Sequence, residues 1–432
     1  MMRKITCFVI TFFQILTISA VIINAQNQVA LNSQDLEKYT YYFDIVDHRM
    51  VGDGAKFLAD EMRKNQFVLL GEYHDSSRIS EFTKALIPVF HNAGGRTFAL
   101  EVGPVSAEML AGLAKDPAQT VNNLNVFNSR YYTRFKNGRQ LTPIPFFKYV
   151  EDADFLNEAA QRKWDLIGLD QEFGYGYLPL IERMYANLNS RRKRELKLLY
   201  EQAAGELKKF YDLDADDGQR IYVSIAESKV LNEFLAAAAS NNAQNRRIAD
   251  ELRLTNAIYL DNINRKYYLA NSRRVSNMKR NLREATARLK FNLRRDKLLL
   301  KMGAAHTGRG LSPLSLFEIG NTLSELAEYH GNTSLHIDFG ARFSLTNGRE
   351  SDALENKEDW SYRLQPLLQM GRKEQWTIID LRPLREAVFY QNKYKVNDTV
   401  REMIKNHDLY IITKQERDPQ LNIKLRKSDT PN

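Results

Sequence analysis

The sequence predicts an α/β fold, a mainly parallel sheet flanked by helices, with a large helical insertion. Short apolar runs without alternation recur along the chain, which is typical of strands covered on both faces. Amphipathic segments of helix length lie between several of these runs. One long stretch of the chain is rich in helix-forming residues and nearly free of strand-like runs, and it predicts the insertion.

Seven apolar runs are the predicted strands, and several of them end in polar groups. In chain order they are FVLLGEYH (67–74), RTFALEVG (96–103), WDLIGLDQE (164–172), KLLLKMGAAH (297–306), LHIDFG (335–340), WTIIDL (376–381) and LYIIT (409–413). The segment RISEFTKALIPVFHNAG (78–94) is the clearest helix between them, because its apolar side chains share one face. Strand and helix therefore alternate, as in an α/β domain.

Residues 178–289 predict a helical insertion between the third and the fourth strand. RRKRELKLLYEQAAGELKKFY (191–211) and SNMKRNLREATARLKF (276–291) have clear helical patterns, while IYVSI (221–225) fits a strand or a helix. The sheet domain is then expected to comprise residues 26–177 and 290–414. Residues 415–432 are expected to form a polar tail.

The first 25 residues have the order of a secretory signal peptide. Arg3 and Lys4 precede an apolar run, and a small-residue cleavage site follows Ala25. An uncleaved membrane anchor is the alternative, because the apolar run is long. Cys7 is the only cysteine and would be removed with the peptide, so the mature chain would lack disulfides and thiol nucleophiles. We expect an exported protein, periplasmic or extracellular.

The net charge of +9 is concentrated in residues 265–301, which hold thirteen Lys and Arg residues against Glu284 and Asp296. A nucleic-acid groove is one interpretation. The solvated face of a helix, in weak contact with an anionic membrane surface, is the other. The export signal favours the second interpretation, and no nucleic acid is expected as a partner.

Ionisable side chains follow four of the predicted strands where each one ends. Glu72 and His74 follow the first strand, Glu101 the second, Asp170 the third and His306 the fourth. Because the carboxyl ends of parallel strands open onto one edge, these groups are expected to converge on one crevice for a small-molecule substrate.

This set of groups permits two kinds of chemistry. A histidine can activate water while a carboxylate orients the imidazole, or imidazole and carboxylate can bind a metal. Arg78 and Arg309 are candidates for binding a carboxylated substrate or an oxyanion. The remaining histidines after residue 74 (His91, His330, His336 and His407) are interpreted as structural. The chain has no G-x-S-x-G elbow, P-loop, H-E-x-x-H motif or dinucleotide fingerprint.

The ordered motifs LLGEYH, FALEVG, LIGLD and LLKMGAAHTGRG resemble those of the erythromycin esterase-like superfamily. This superfamily also includes ChaN-like haem-binding lipoproteins and, more distantly, Tiki metalloproteases. The resemblance spans roughly residues 60–340. It implies that Glu72, His74, Glu101 and His306 form a hydrolytic site, and that a polar helix, here matched to Asp250 and Arg253, folds back over it.

Three hypotheses follow from this resemblance. The first is an exported hydrolase of an ester or lactone that needs no cofactor. The second is a haem- or metal-binding protein, in which Tyr73 is a candidate haem ligand. The third is a Tiki-like peptidase that depends on a divalent metal. The first motif has one residue between Glu72 and His74, as in the haem-binding branch, whereas the esterases usually have two. The choice therefore stays open.

Overall fold

The computed structural model describes residues 28–135, 138–213 and 220–425. The predicted signal peptide and Cys7 lie outside these ranges, as do residues 426–432. Nine strands form the central sheet: β1 Thr40–Val46, β2 Arg49–Val51, β3 Phe67–Glu72, β4 Gly95–Leu100, β5 Asp165–Gly168, β6 Lys297–Gly303, β7 Ser334–Ala341, β8 Trp376–Asp380 and β9 Leu409–Thr413. Their order across the sheet is β2-β1-β8-β9-β7-β3-β6-β4-β5.

The predicted α/β fold is confirmed, and each of the seven predicted runs overlaps one strand of this sheet. The six strands from β9 to β5 are parallel. The run WTIIDL differs, because β8 pairs antiparallel with both β9 and β1. Its composition could not reveal this, since burial on both faces makes a strand uniformly apolar whatever its direction.

Helices cover both faces of the sheet and fill the long segment between β5 and β6. Those of at least eight residues are α1 Asp53–Lys64, α2 Ser77–Asn92, α3 Pro104–Leu113, α4 Thr120–Tyr131, α5 Val150–Gln161, α6 Tyr177–Ala186, α7 Ser190–Leu213, α8 Arg220–Glu227, α9 Lys229–Ala239, α10 Ala243–Ile263, α11 Tyr267–Arg288, α12 Ile319–Tyr329 and α13 Asp398–Asn406. Shorter helical segments are Ser33–Glu37, Pro117–Gln119, Gly174–Gly176, Ala304–Thr307, Trp360–Leu364, Gln365–Leu368, Arg382–Arg385 and Glu386–Tyr390.

The segment from α6 to α10 has an apolar cluster of its own, centred on buried side chains such as Leu207, Leu231 and Phe234. The ambiguous run IYVSI lies in α8, because Ile221, Tyr222 and Ile225 share one buried helical face. Helix α11 packs instead against the sheet, where Met278 and Leu282 join the cluster under β6. In the described part of the chain, no helix combines the length and the hydropathy needed to cross a membrane.

Short strands pair at the periphery: Val29–Ala30 with Tyr394–Lys395, Thr133–Arg134 with Gln140–Leu141, and Phe343–Thr346 with both Arg349–Asp352 and Glu416–Arg417. Residues 415–425, the described part of the predicted polar tail, pack against the sheet domain. The carboxylate of Glu416 accepts hydrogen bonds from Tyr73, Ser76 and Ser77, and Ile423 is buried. These hydroxyls explain how a polar segment can lie against the domain.

Candidate functional site

Three neighbouring strands bring the predicted groups together at the carboxyl edge of the sheet. Strand β6 lies between β3 and β4, and Glu72 at the end of β3 is paired in register with Gly303 at the end of β6. Glu101 follows β4 directly, and the helical segment Ala304–Thr307 carries His306. Groups that are more than 200 residues apart in sequence are therefore neighbours across one or two strand spacings.

Glu72 is held by a buried cation. The ammonium of Lys301, which is 4% exposed, donates a hydrogen bond to Oε2 of Glu72. Oε1 of the same carboxylate lies 3.4 Å from Nδ1 of His74. Burial opposes ionisation of Glu72, but the charges of Lys301 and His74 outweigh it and lower the pKa of this carboxyl. Glu72 is therefore an anion at neutral pH.

His74 is the exposed member of the cluster. Its side chain is 41% exposed, and its ring stacks on Phe146 with the ring centroids 4.2 Å apart. Burial of part of the ring favours the neutral imidazole, but the carboxylates of Glu72 and Glu101 outweigh it and raise the pKa of His74 above its ordinary value. Within the described residues, Nε2 of His74 has no hydrogen-bond partner, so Glu72 on Nδ1 leaves Nε2 available.

Glu101 is buried and has a partner on each oxygen. Oε2 accepts a hydrogen bond of 2.6 Å from the backbone N–H of Gly303, and Oε1 accepts one of 2.8 Å from Arg274. Nε2 of His306 lies 3.6 Å from the same Oε1. The opposite ring nitrogen of His306 lies 2.9 Å from the buried carboxylate of Glu318. Two histidine–carboxylate pairs thus meet at Glu101, one exposed and one buried.

Gly303 shows how closely these groups approach. A Cβ atom at this position would lie 3.1 Å from Nε2 of His74 and 3.4 Å from Oε2 of Glu101. The free ring nitrogen and the buried carboxylate therefore face the same point above the strand. Glycine permits this close approach, because the Cβ of any other residue would force the ring of His74 to shift by a few tenths of an ångström.

Arg274 links Glu101 to Asp170. Its guanidinium donates to Asp170 at 2.9 Å through Nε and at 2.5 Å through Nη2, which also reaches Glu101. Burial disfavours the charged guanidinium, but these carboxylates outweigh it and raise the pKa of Arg274 further. Asp170 and Arg274 line a cavity of about 160 Å³ between the sheet and α10–α11, together with Phe146 and Tyr259. Phe146, on which the ring of His74 stacks, is part of the wall of this cavity.

Four side chains that the sequence analysis names as candidates do not contact the His74 cluster. Arg78 is bound to Glu81 and to the backbone carbonyl of Gln415, and Arg309 is paired with Asp408 at 2.7 Å. The hydroxyl of Tyr73 donates to Glu416, and burial raises the pKa of this phenol well above its ordinary value. Arg253 pairs with Asp250 on an exposed part of α10. The helix that reaches the cluster is α11, which carries Arg274.

Sequence reasoning missed Lys301, Arg274 and Glu318. Lys301 was visible as a charge inside an apolar strand, which requires a partner when the strand is buried. Arg274 lies among the basic residues 265–301, a pattern that favours a solvated surface and does not single out one arginine. Glu318 has no signal in the sequence, because it precedes α12 in an irregular segment and reaches His306 only in the folded chain.

The donor atoms of the cluster are largely engaged with each other. Among the described residues, no three His, Cys, Asp or Glu side chains are grouped as a metal site would require. Glu72 and Glu101 instead accept hydrogen bonds from Lys301, Arg274 and a backbone amide. The arrangement suits proton transfer at His74, because the carboxylates of Glu72 and Glu101 stabilise the positive charge of the protonated ring.

Searches with the sequence find no matching family model and no matching curated protein. Solved structures of the same fold are found. A succinoglycan biosynthesis protein aligns with a TM-score of 0.55 and 12% identity, over 90% of this chain and 97% of that chain. A mutant of erythromycin esterase EreC in its open conformation aligns with a TM-score of 0.52 and 14% identity, over 86% and 95%. A Bacillus cereus protein aligns with a TM-score of 0.51 and 16% identity, over 90% and 98%. This chain therefore has the erythromycin esterase-like fold.

Proposed function

We propose that this protein is a hydrolase that cleaves an ester or lactone bond with a water molecule activated by His74. The observation that carries this proposal is the state of the His74 ring. Its Nδ1 faces the anionic Glu72 at 3.4 Å, while the side chain is 41% exposed and Nε2 has no hydrogen-bond partner among the described residues. This is the arrangement that a general base requires, since one nitrogen is oriented and the other can accept a proton.

In the proposed reaction, Nε2 of His74 removes a proton from water as the water oxygen attacks the carbonyl carbon. The tetrahedral intermediate then loses its alkoxide, and the His74 imidazolium returns the proton to that leaving oxygen. Glu72 stabilises the imidazolium that forms between these two steps. Its pKa lies below the ordinary value, so it remains an anion and takes no proton itself.

The neighbouring charges support this sequence of steps. Arg274 and Lys301 donate hydrogen bonds to the buried carboxylates of Glu101 and Glu72. Arg274 also lines the cavity of about 160 Å³ where the acyl group is expected to lie. His306, held by Glu318, lies on the far side of Glu101. We assign His306 the role of supporting the intermediate through Glu101. The fold shared with an erythromycin esterase is consistent with ester chemistry.

The test is hydrolysis of a panel of chromogenic esters and lactones by the purified protein. His74→Ala should reduce turnover by at least about 10²-fold, the contribution of a general base, and should leave the thermal midpoint nearly unchanged. His330→Ala, at the end of α12, is the matched control and should retain full activity. Equal activity of His74→Ala and wild type, measured on any ester that the protein cleaves, would remove His74 from the mechanism.

We also propose that the protein is exported and that residues 1–25 are removed. Mass spectrometry of the exported protein should give an N-terminus at residue 26, and an intact N-terminus would contradict the proposal. Absorbance and elemental analysis of the same material address the haem and metal hypotheses. A Soret band, or a stoichiometric divalent metal, would favour those hypotheses over a cofactor-free hydrolase.

A further inference from the structure

A pair of adjoining cavities lies across β3 from the His74 cluster, beside the carboxyl half of β7 and the start of β9. The larger has a volume of about 470 Å³ and the smaller about 370 Å³. The two cavities share four lining residues, Ala304, Asp338, Trp360 and Met403, and therefore lie side by side. Their size is that of sites for small molecules.

We propose that these cavities form a second binding site, which takes a small ligand with one ammonium group on an apolar body. The inference does not depend on the hydrolase assignment, because it uses neither His74 nor its reaction. Glu72 lines the smaller cavity, so the site adjoins the proposed reaction centre without sharing the face that carries Nε2 of His74.

Unpartnered polar groups in the wall are the first observation. His407 is 7% exposed, and neither of its ring nitrogens has a hydrogen-bond partner among the described residues. Oδ2 of the buried Asp338 lies 3.9 Å from Nε2 of His407, too far for a hydrogen bond. A buried polar group without a partner is costly, and a polar ligand between these two side chains would satisfy both. His407 was interpreted from the sequence as structural, and its place in this wall argues otherwise.

The charge around the cavities is the second observation. Asp338, Asp398 and Glu402 line the larger cavity, and the latter two are on its exposed rim. Arg309 also lines it, and one of its amino groups has no partner among the described residues. Asp408 binds this arginine at 2.7 Å and also Arg385 at 3.0 Å, and Glu402 is paired with Lys405. Asp338 and Asp398 have no Lys or Arg partner among the described residues, so these two carboxylates favour a cation.

Trp360 is the third observation. This side chain is 61% exposed although it lines both cavities. An exposed indole at the mouth of an acidic cavity is well placed to bind an ammonium group against its face. Leu364, Leu368 and Met403 supply the apolar wall behind it. Carboxylates, an indole and an apolar wall together fit an amine on a hydrocarbon body better than a polyol or a free inorganic cation.

Tryptophan fluorescence can test this inference directly. The chain has three tryptophans, and Trp164 and Trp376 are buried, so a ligand at the cavity mouth should change chiefly the Trp360 emission. Three probes of equal shape are 3-phenylpropylamine, 3-phenylpropanol and 3-phenylpropanoate. At about pH 8, above the value of about 7 to which burial raises the pKa of Asp338, the amine should bind at least about tenfold more tightly than the alcohol. The carboxylate should bind most weakly.

Variants locate the binding. Asp338→Asn keeps an acceptor for the backbone N–H of Phe339 and should weaken amine binding by about tenfold or more. Glu402→Gln on the rim, which tests the charge if Asp338→Asn does not fold, should weaken it by a smaller factor. Trp360→Phe should abolish the fluorescence change, so its amine affinity is followed by calorimetry. The exposed Glu374→Gln removes the same charge outside the cavities and should have no effect.

Three outcomes would overturn the inference. Binding of the alcohol as tightly as the amine would show an apolar cavity without charge selection. Tighter binding of the carboxylate would show that Arg309 dominates the field. No binding of any probe at millimolar concentration would show that the cavities are not a site for this class of ligand. None of these outcomes bears on hydrolysis by His74, which is measured separately.

Discussion

Replacing Lys301 by methionine is expected to destabilise the protein by about 3–5 kcal/mol at neutral pH, the usual cost of leaving a buried charge without its partner. Lys301 is 4% exposed, and the side chain of Glu72, which it binds, is 6% exposed. Methionine has a similar length, so contact with the ring of Phe155, now 5.2 Å from the ammonium, is largely kept. The loss is therefore mainly electrostatic.

A double variant separates the charge from the packing. In Lys301→Met/Glu72→Gln both members of the pair are neutral, and replacing a whole buried pair is often close to neutral for stability. The double variant should therefore recover at least about 2 kcal/mol relative to Lys301→Met. Its turnover should stay below that of the wild type, because a neutral amide in place of the Glu72 carboxylate stabilises an imidazolium at His74 less well.

The stability lost in Lys301→Met should depend on pH, and the direction of this dependence follows from the pKa of Glu72. In the wild type the pKa of Glu72 is lowered below 4.5, so its contribution to stability is present above pH 4.5 and is lost as the pH falls through the folded-state value. Without Lys301, burial raises this pKa above 4.5. The folded state of the variant then binds more protons than the unfolded state, so the deficit relative to wild type grows as the pH rises through the raised pKa and shrinks toward about pH 4.

Urea denaturation at about pH 4 and about pH 7.5 measures these differences. The exposed Lys115→Met is the control for loss of a lysine charge and should change stability by less than about 0.5 kcal/mol. A loss below about 1 kcal/mol in Lys301→Met at neutral pH would refute the reasoning. A double variant no more stable than the single one would refute it equally.

Three further predictions concern the same cluster. Arg274→Met should lower the free energy of unfolding by about 3–5 kcal/mol, because Glu101 and Asp170 lose their shared cation. Arg274→Lys should recover part of this stability. Equal melting temperatures for the two variants would contradict the prediction. Gly303→Ala should reduce ester turnover, because its Cβ would lie 3.1 Å from Nε2 of His74 and displace the ring. Gly112→Ala, where the Cβ meets nothing within 4 Å, should retain activity. Turnover should rise with pH through the pKa of His74, which lies above 6.5. Glu72→Gln should move this rise to lower pH, and an unshifted profile would show that Glu72 does not raise the pKa of His74.

The strands were predictable because a parallel sheet buried on both faces demands uninterrupted apolar runs. The positions of Glu72, Glu101 and His306 at the ends of such runs were equally visible. The direction of β8 was not, since its apolar composition is the same whichever way the strand runs. Arg274 was not predictable either, because a helix with many arginines gives no indication of which one turns inward.

The sequence by itself determined the α/β class, the strand runs and the edge of the sheet that carries the ionisable groups. These features depend on local composition and on the rule that parallel strands end on one side. Only the tertiary structure decided that Lys301 neutralises Glu72, that Arg274 spans Glu101 and Asp170, and that Glu318 orients His306. A buried charge can be paired by any opposite charge that the fold brings within a few ångströms, and separation along the chain does not encode that distance.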